Sequence, residues 1–434
     1  SGVSNSGVSN SGVSNSGVSN RRDTSTGESD AGSGGERETR DSTEPAEEEP
    51  KFGTLESLEQ LAFSENPTLR ELQARVNAAH GQWIQVGLRP NPVVSISAQE
   101  MGNDGRSGQF GAFFSQQHVT ANKLGLNREA AGWNLQRAKH ELAAQQLRVA
   151  TDVRSGFYLL LVSQERVRVA SELSEIARQA VEKATELVKI QEPQTVLTQA
   201  EIEAELAAVM VQNARAQSDA QWRSLAAVVG QPDLPQQHVT GDLSSDTPEL
   251  VWVEVLDRIR LESPEIASAA ARIEELRWRL RRASVEATPN VTMQAGVYYD
   301  DASSDPFASF QLSLPLPIHN RNQGGIAQAR ANVNAATSAA KRVELRLQDQ
   351  LADMFQQYEK ARQQASRYET TILSKAKRNL DLNRASYESG QTSYLAVLTA
   401  QRSYTQAQLA RLNALERLGT AAVQIDGLLL SGNL

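Results

Sequence analysis

The sequence predicts a mainly α-helical protein with a small β part, in which one unit of helix, strand, strand, long helix and long helix occurs twice. Three observations support this fold class. Similar segments recur at an almost constant offset, and apolar and polar residues alternate in short stretches between helices. Each half also contains a segment of about 65 residues with the spacing of a long helix.

The repeat is visible in four pairs of segments. VLTQAEIEAELA begins at Val196 and VLTAQRSYTQAQLA at Val397, while RPNPVVSIS at Arg89 corresponds to TPNVTMQAG at Thr288. ENPTL and ESPEI form a third pair, and the segments that lead into the long helices form a fourth. Separated matches in the same order indicate a duplication, so we expect both halves to fold alike.

The repeat sets the predicted domain boundaries. A disordered, linker-like tail covers residues 1–51, the first repeat 52–230, a linker 231–249, the second repeat 250–428 and a short tail 429–434. The N-terminal tail opens with SGVSN four times and continues with Ser, Gly, Glu and Pro, a composition typical of disorder.

Charge and composition exclude several classes of function. The net charge is −8, but residues 21–50 hold four Arg and ten Asp or Glu and therefore carry −6 of it. No basic patch is interleaved with aromatic residues, so nucleic acid is not expected as a partner. The chain has no cysteine, which excludes disulfides, thiolate metal sites and cysteine nucleophiles.

The sequence contains no motif of an enzyme or of a resident cofactor. Phosphate-binding loops, nucleophile elbows and zinc-protease motifs are absent. None of the five histidines has metal-ligand spacing with another: His80, His118, His140, His238 and His319. Carboxylates on the helices mostly stand beside Lys or Arg, as on a solvated face. We therefore expect neither catalysis, nor a cofactor, nor a metal site.

Two pairs of strands are predicted, within residues 91–119 and 290–317. In the third strand Met293, Ala295 and Val297 alternate with polar residues. Comparable apolar faces are predicted for the other strands, carried by Val94, Ile96, Phe110, Phe114, Phe310, Leu312, Leu314 and Leu316. Because the side-chain period of a strand is two, each strand has one dry face and one wet face.

Each pair of strands leads into a very long helix. In the second half this helix begins after Gly325, carries an apolar seam from Ala329 to Ile372, and continues to about Glu388, which corresponds to about 100 Å. The seam follows coiled-coil spacing with one extra step of four, from Leu347 to Leu351, a stutter expected to unwind the supercoil locally. Residues 123–189 form the matching helix in the first half.

Four short strands are too few to close a barrel, and an open sheet with an apolar outer face would aggregate. Several chains could instead pool their strands into one barrel with lipid outside and water inside. The strand-to-helix junction LPLPIHNRNQGG fits such a transition. Pro315 and Pro317 cannot donate to a strand, while Asn320, Asn322 and Gly324 let the chain turn into the helix.

The chain resembles the TolC family of outer-membrane efflux channels. PLPIHNRNQGGIAQARA resembles the family's strand-to-helix junction and is closest to its heavy-metal efflux branch, in which an aromatic residue usually stands at the place of His319. ANKLGLNREAAGWNLQRA from Ala121 is a degenerate equivalent, and YESGQTSYLAVLTAQRSYTQAQLA from Tyr387 resembles a helix-hairpin tip. The resemblance spans about 52–428.

The resemblance implies a homotrimer in the outer membrane. Each chain would contribute four strands to a twelve-stranded β-barrel, which a trimeric α-helical barrel continues in the periplasm. The implied function is a passive exit duct for substrates, metal cations by the resemblance to that branch. The implied partners are a periplasmic adaptor protein, an inner-membrane pump of the RND type and outer-membrane lipid.

The resemblance also places the gate and the adaptor-docking site at two tips, Lys189–Thr195 and Ser389–Tyr394. The candidate residues there are Glu192, Pro193, Gln194, Tyr387, Gly390, Gln391 and Thr392. Tyr387 and Gly390 match the family pattern, but Thr392 takes the place of its latch arginine, and Ala396 and Thr399 replace its two aspartates. Glu186 and Glu388 are candidate pore carboxylates. We expect a weakly latched gate with little dependence on salt.

Other functions remain open at this point. A general drug or solute efflux channel and a type I secretion channel would share the fold. A structural periplasmic coiled coil would explain the long helices but not the four alternating strands.

Overall fold

The computed structural model of the chain describes residues 53–101, 107–189, 193–241, 243 and 249–430. The predicted N-terminal tail lies outside the described residues, as do part of the predicted linker and the end of the predicted C-terminal tail. Leu430, which we assigned to that tail, is buried in the fold with 2% of its surface exposed.

The predicted unit is confirmed in both halves, with one additional short helix at the start of each. The first half consists of α1 (Leu55–Glu65), α2 (Pro67–Gln85), β1 (Val93–Met101), β2 (Ser107–His118), α3 (Lys123–Val188) and α4 (Gln194–Val229). The second consists of α5 (Trp252–Glu262), α6 (Pro264–Ser284), β3 (Val291–Asp300), β4 (Asp305–Ser313), α7 (Gln323–Arg367), α8 (Leu373–Glu388) and α9 (Tyr394–Asp426). The domain boundaries themselves stay a prediction.

Helices α1 and α5 were not predicted. Each has 11 residues, which is only three turns and too short for the apolar period to stand out. The boundary between α1 and α2 is set by Asn66, whose side chain accepts a hydrogen bond from the backbone N–H of Thr68 at 2.9 Å. Pro67 follows in the first turn, where its missing N–H costs nothing.

The long helices have the predicted length. Helix α3 has 66 residues, and in the second half helical structure runs without a break from Gln323 to Glu388. The second run is not uniform, because a π-helical turn at Tyr368–Ile372 separates α7 from α8. Leu347 and Leu351, where we predicted a stutter, lie inside regular α-helix and are buried, and the local unwinding of the supercoil there stays a prediction. The departure from α-helical geometry lies further along.

The four strands form one antiparallel sheet in the order β1-β2-β3-β4. The two hairpins are therefore joined through the pairing of β2 with β3, which links the two halves of the chain. Strands β1 and β4 form the two edges of the sheet. The helices join the sheet at one end, and the two hairpin connections lie at the opposite end.

Each half has its own apolar core among the helices. Leu160, Leu225 and Val229 are buried in the first core, and Tyr358 and Ile425 in the second. A smaller cluster near the far end of the long helices combines four alanines with four larger residues: Ala180, Ala184, Ala200, Ala400, Leu380, Tyr394, Val397 and Leu398. Small side chains bury less apolar area, so the far end is held less firmly than the centre.

In the part of the chain that the structure describes, no helix is both long enough and apolar enough to cross a membrane.

Candidate functional site

The register of the sheet divides its side chains into two faces. Val94, Phe114, Ala295 and Phe310 are direct partners across the four strands and therefore lie on one face. We call this the apolar face; its residues are Val94, Ile96, Ala98, Phe110, Ala112, Phe114, Met293, Ala295, Val297, Tyr299, Ala308, Phe310 and Leu312. The opposite, polar face includes Ser95, Ser97, Gln99, Gln109, Ser115, Gln117, Thr292, Gln294, Ser309, Gln311 and Ser313.

The apolar face is open in a single chain. Val94, Ile96 and Phe310 are 74%, 86% and 72% exposed. A contiguous apolar surface of this kind indicates contact with lipid or with another protein. The predicted alternation of the strands is thus confirmed, with one correction: Leu314 and Leu316, assigned to the fourth strand, lie beyond its end at Ser313.

The two strand-to-helix junctions are built alike, 200 residues apart. Asn122 and Asn322 both have left-handed backbone, with φ of 52° and 59°. The carbonyl of each accepts from the backbone N–H four residues later, at 3.0 and 2.9 Å, and so starts the helix. Asparagine tolerates this conformation better than most residues, which explains its use at both turns.

Further contacts hold the second junction. The side-chain amide of Asn322 donates to the carbonyl of Ala283 at 2.8 Å, and the side-chain oxygen of Asn320 accepts from the N–H of Asn322 at 3.0 Å. Pro315 and Pro317 both follow the last paired residue of β4, as expected of residues without an N–H.

The junction glycines differ in importance. A Cβ at Gly325 would lie 2.2 Å from the side-chain oxygen of Asn322, whereas Gly324, which we singled out, has open space around it. We expect Gly325→Ala to be less stable than Gly324→Ala by about 1–2 kcal/mol, because only the former displaces the Asn322 amide from Ala283. Denaturant unfolding of the two single variants measures the difference. Equal stability would show that Asn322 adapts freely.

Lys123 ties the first junction to the second half, a contact that we did not predict. Its ammonium group donates to the carbonyl of Thr288 at 2.6 Å and to the side-chain oxygen of Asn290 at 3.0 Å. Burial, and then the nearby charge of Arg282, lower its pKa. A lysine in the first turn of a helix opposes the helix dipole, and this was a signal that could have revealed the contact.

The second tip is a helix C-terminus closed by glycine. Gly390 has φ of +73°, its N–H donates to Tyr387 O at 2.9 Å, and the N–H of Gln391 donates to Ser386 O at 2.8 Å. This pair of hydrogen bonds is the Schellman motif, which favours glycine at this position. Thr392 follows in the turn and is half-buried.

Two tyrosines pack across the second tip. The rings of Tyr387 and Tyr394 are tilted, with centroids 5.2 Å apart, and Tyr394 is 8% exposed. Burial raises the pKa of Tyr394 to about 12, with the charge of Tyr387 adding to the rise and that of Arg384 opposing it. The hydroxyl therefore stays neutral at physiological pH, and aromatic packing contributes to the stability of this tip.

The first tip is described only in part. Pro193 precedes α4, Gln194 is its first residue, and both are exposed. Glu192 lies outside the described residues. The two candidate pore carboxylates, Glu186 and Glu388, are exposed near the ends of α3 and α8. Exposure fits a carboxylate that lines a pore and equally fits an ordinary surface carboxylate.

One ion pair links the two helical hairpins close to the tips, and it was not predicted. The guanidinium of Arg402 on α9 donates to the carboxylate of Glu203 on α4. The same carboxylate accepts from the side chain of Gln199 at 3.0 Å. Because the Arg402 side chain is 55% exposed, the pair contributes about 1 kcal/mol or less.

Among the described residues, no group of three or more His, Asp or Glu side chains could hold a metal ion.

Comparison with known proteins shows which family and which solved structures the chain is similar to. Residues 255–429 match the model of the family described as Outer membrane efflux protein. The chain is also 26% identical over 389 residues to the cobalt-zinc-cadmium resistance protein CzcC of Cupriavidus metallidurans, covering 87% of this chain and 90% of that protein.

Solved structures share the fold at low sequence identity. Superposition on a solved structure of CusC gives a TM-score of 0.74 at 18% sequence identity, and the aligned region covers 87% of this chain and 92% of the CusC chain. The open state of the MtrE outer membrane channel of Neisseria gonorrhoeae has a TM-score of 0.73 at 18% identity, with coverage of 88% and 89%. Residues 255–429 therefore match the outer membrane efflux protein family, and most of the chain shares the fold of CusC and of the MtrE outer membrane channel.

Proposed function

We propose that three copies of this chain form a passive exit duct for metal cations, which an inner-membrane pump and a periplasmic adaptor deliver to it. The observation that carries the proposal is the two-faced sheet with two edges. Pairing β4 of one copy with β1 of the next closes both edges, and three copies give a twelve-stranded barrel. Its apolar face would meet lipid and its polar face water.

The helices continue the duct in this proposal. The two repeats, 52–230 and 250–428, each supply one helical hairpin of about 100 Å, long enough to reach far into the periplasm. The tips at 189–195 and 389–394 would form the gate and dock the adaptor. The metal substrate rests on the similarity to CzcC, a resistance protein for cobalt, zinc and cadmium.

General drug or solute efflux, or type I secretion, are the alternatives. The same geometry serves them, and the described residues include no metal-ligand cluster that would tie the duct to cations. A structural coiled coil is disfavoured, because it gives no reason for a sheet with an exposed apolar face.

Deletion of the gene tests the substrate. We expect the deleted strain to become sensitive to cobalt, zinc or cadmium salts and to recover when the gene is restored. Dyes and antibiotics in the same assay are the control. Sensitivity to dyes or antibiotics without sensitivity to any metal would replace the metal substrate by general efflux.

The proposed gate should depend little on salt. Full screening of the Glu203–Arg402 pair would change the ratio of open to closed states by about fivefold or less for each of the three chains. Arg402→Gln should change this ratio by no more than the same factor. Tyr394→Ala should shift the ratio further towards the open state than Arg402→Gln does, because it removes a buried side chain.

Single-channel conductance in planar bilayers, corrected for bulk conductivity, measures all three effects. A sharp opening on raising salt, or an Arg402→Gln variant as open as Tyr394→Ala, would show that ion pairs and not packing hold the gate.

A further inference from the structure

Three aromatic side chains interrupt the polar face of the sheet. Phe113, Tyr298 and Phe307 lie on this face by register, among serines and glutamines. The rings of Tyr298 and Phe307 are stacked with their centroids 5.5 Å apart and their planes 16° from parallel. Apolar rings on a face that is otherwise suited to water need a reason.

Two of the rings stand opposite glycines. Tyr298 pairs with Gly111 and Phe113 pairs with Gly296, and a Cβ at either glycine would come within 2.7 Å of the opposing aromatic side chain. The neighbouring strand also comes close at both positions: a Cβ at Gly111 would lie 2.3 Å from the backbone carbonyl oxygen of Val297, and one at Gly296 would lie 2.8 Å from that of Ala112. The missing side chains leave space for the opposing aromatic residues as well.

The rings form a compact group towards the hairpin end of the sheet. Tyr298 and Phe307 are two residues from the hairpin ends of β3 and β4, at Asp300 and Asp305. Phe113 lies in the next row of the same face. Phe307 is 40% exposed, so its ring is not withdrawn into a core.

We propose that Phe113, Tyr298 and Phe307 of three copies form an aromatic collar that narrows the lumen and admits small hydrated cations in preference to bulky organic solutes. This inference rests on the proposed trimeric barrel. Twelve strands 4.8 Å apart and tilted by about 40° enclose a lumen of only about 24 Å between backbones. Inward aromatic rings reduce that width, and their faces attract cations.

Cysteine labelling tests the collar without requiring an open gate, because the chain has no cysteine of its own. Ser313→Cys is the reporter: it lies on the polar face at the junction end, about 20 Å along β4 from Phe307 and, with the strands tilted by about 40°, about 15 Å deeper in the barrel. Intact cells are treated with a small cationic thiosulfonate or with a maleimide that carries a bulky dye. We expect the dye reagent to label the reporter cysteine slowly. Replacing all three aromatic residues by serine should raise that labelling rate about tenfold and should change the labelling rate of the small reagent little.

The outcomes separate the collar from the barrel. If the dye reagent labels Ser313→Cys at the same rate with and without the three rings, the collar is overturned. The collar is also overturned if the variant without rings loses trimer while the ratio of dye-reagent rate to small-reagent rate stays unchanged, because that result shows a purely structural role. If the triple variant fails to assemble, Phe307→Ser alone is used, because Phe307 opposes no glycine. The proposed barrel itself would be refuted if even the small reagent failed to label Ser313→Cys. It would also be refuted if Leu312→Cys, on the apolar face, were labelled as fast as Ser313→Cys.

Discussion

Phe310→Arg is expected to abolish most of the assembled trimer. Phe310 is 72% exposed on the apolar face and belongs to a row of direct partners across all four strands. Arginine on the lipid side of a barrel strand costs about 2–4 kcal/mol near the midplane, and the cost recurs in each of the three chains. Trimer yield in detergent extracts of the membrane fraction is the measurement.

Gln311→Arg is the matched control. It lies one residue further along β4, on the polar face, where its partner is Gln294. A charged side chain there would meet water, so the yield should stay near that of the unaltered chain. Similar losses in both variants would show that the sheet does not divide lipid from water.

Glu275→Ala is expected to destabilise the fold by about 1.5–3 kcal/mol, the usual contribution of hydrogen bonds to a charged group, because the carboxylate is buried while its arginine partners are partly exposed and can be solvated. Glu275 on α6 is fully buried, and its carboxylate lies 2.7 Å from Arg272, 2.5 Å from Arg279 and 3.7 Å from Arg137 on α3. Its removal leaves three guanidinium groups without their shared anion, one of them on a helix of the other half. Denaturant unfolding of the purified protein, followed by circular dichroism, measures the loss.

Glu274→Ala provides the comparison. Glu274 is the preceding residue and pairs with Arg277, but its side chain is 33% exposed and that of Arg277 is 55% exposed. We expect a loss of about 1 kcal/mol or less. If both variants lost the same stability, the burial of Glu275 would have no energetic consequence.

Glu275 also shows where sequence reasoning failed. In the segment RIEELRWRLRR the carboxylates stand among arginines, which we interpreted as a solvated face. That interpretation fits Glu274 but is wrong for Glu275. The two neighbours differ because α3, from the other half of the chain, covers one of them and not the other. Charge spacing along one helix carries no information about such cover.

Features that repeat along one element could be predicted. The alternation in β3 assigned Met293, Ala295 and Val297 to one face, and the spacing after Gly325 gave the length of the second long helix. The asparagine of each junction stood in the sequence at corresponding places. The predicted roles of the tip residues stay predictions, and Glu192 lies outside the described residues.

The sequence by itself determined which residues of each strand share a face and where strands give way to long helices, because side-chain periodicity and backbone preference act within a few residues. Only the tertiary structure decided which strands are neighbours, so that Phe113 and Tyr298 stand opposite glycines of another strand. It alone decided that Lys123 and Glu275 are desolvated and that Arg402 reaches Glu203. Register, burial and ion pairing between distant segments depend on the packing of whole elements, which local periodicity does not encode.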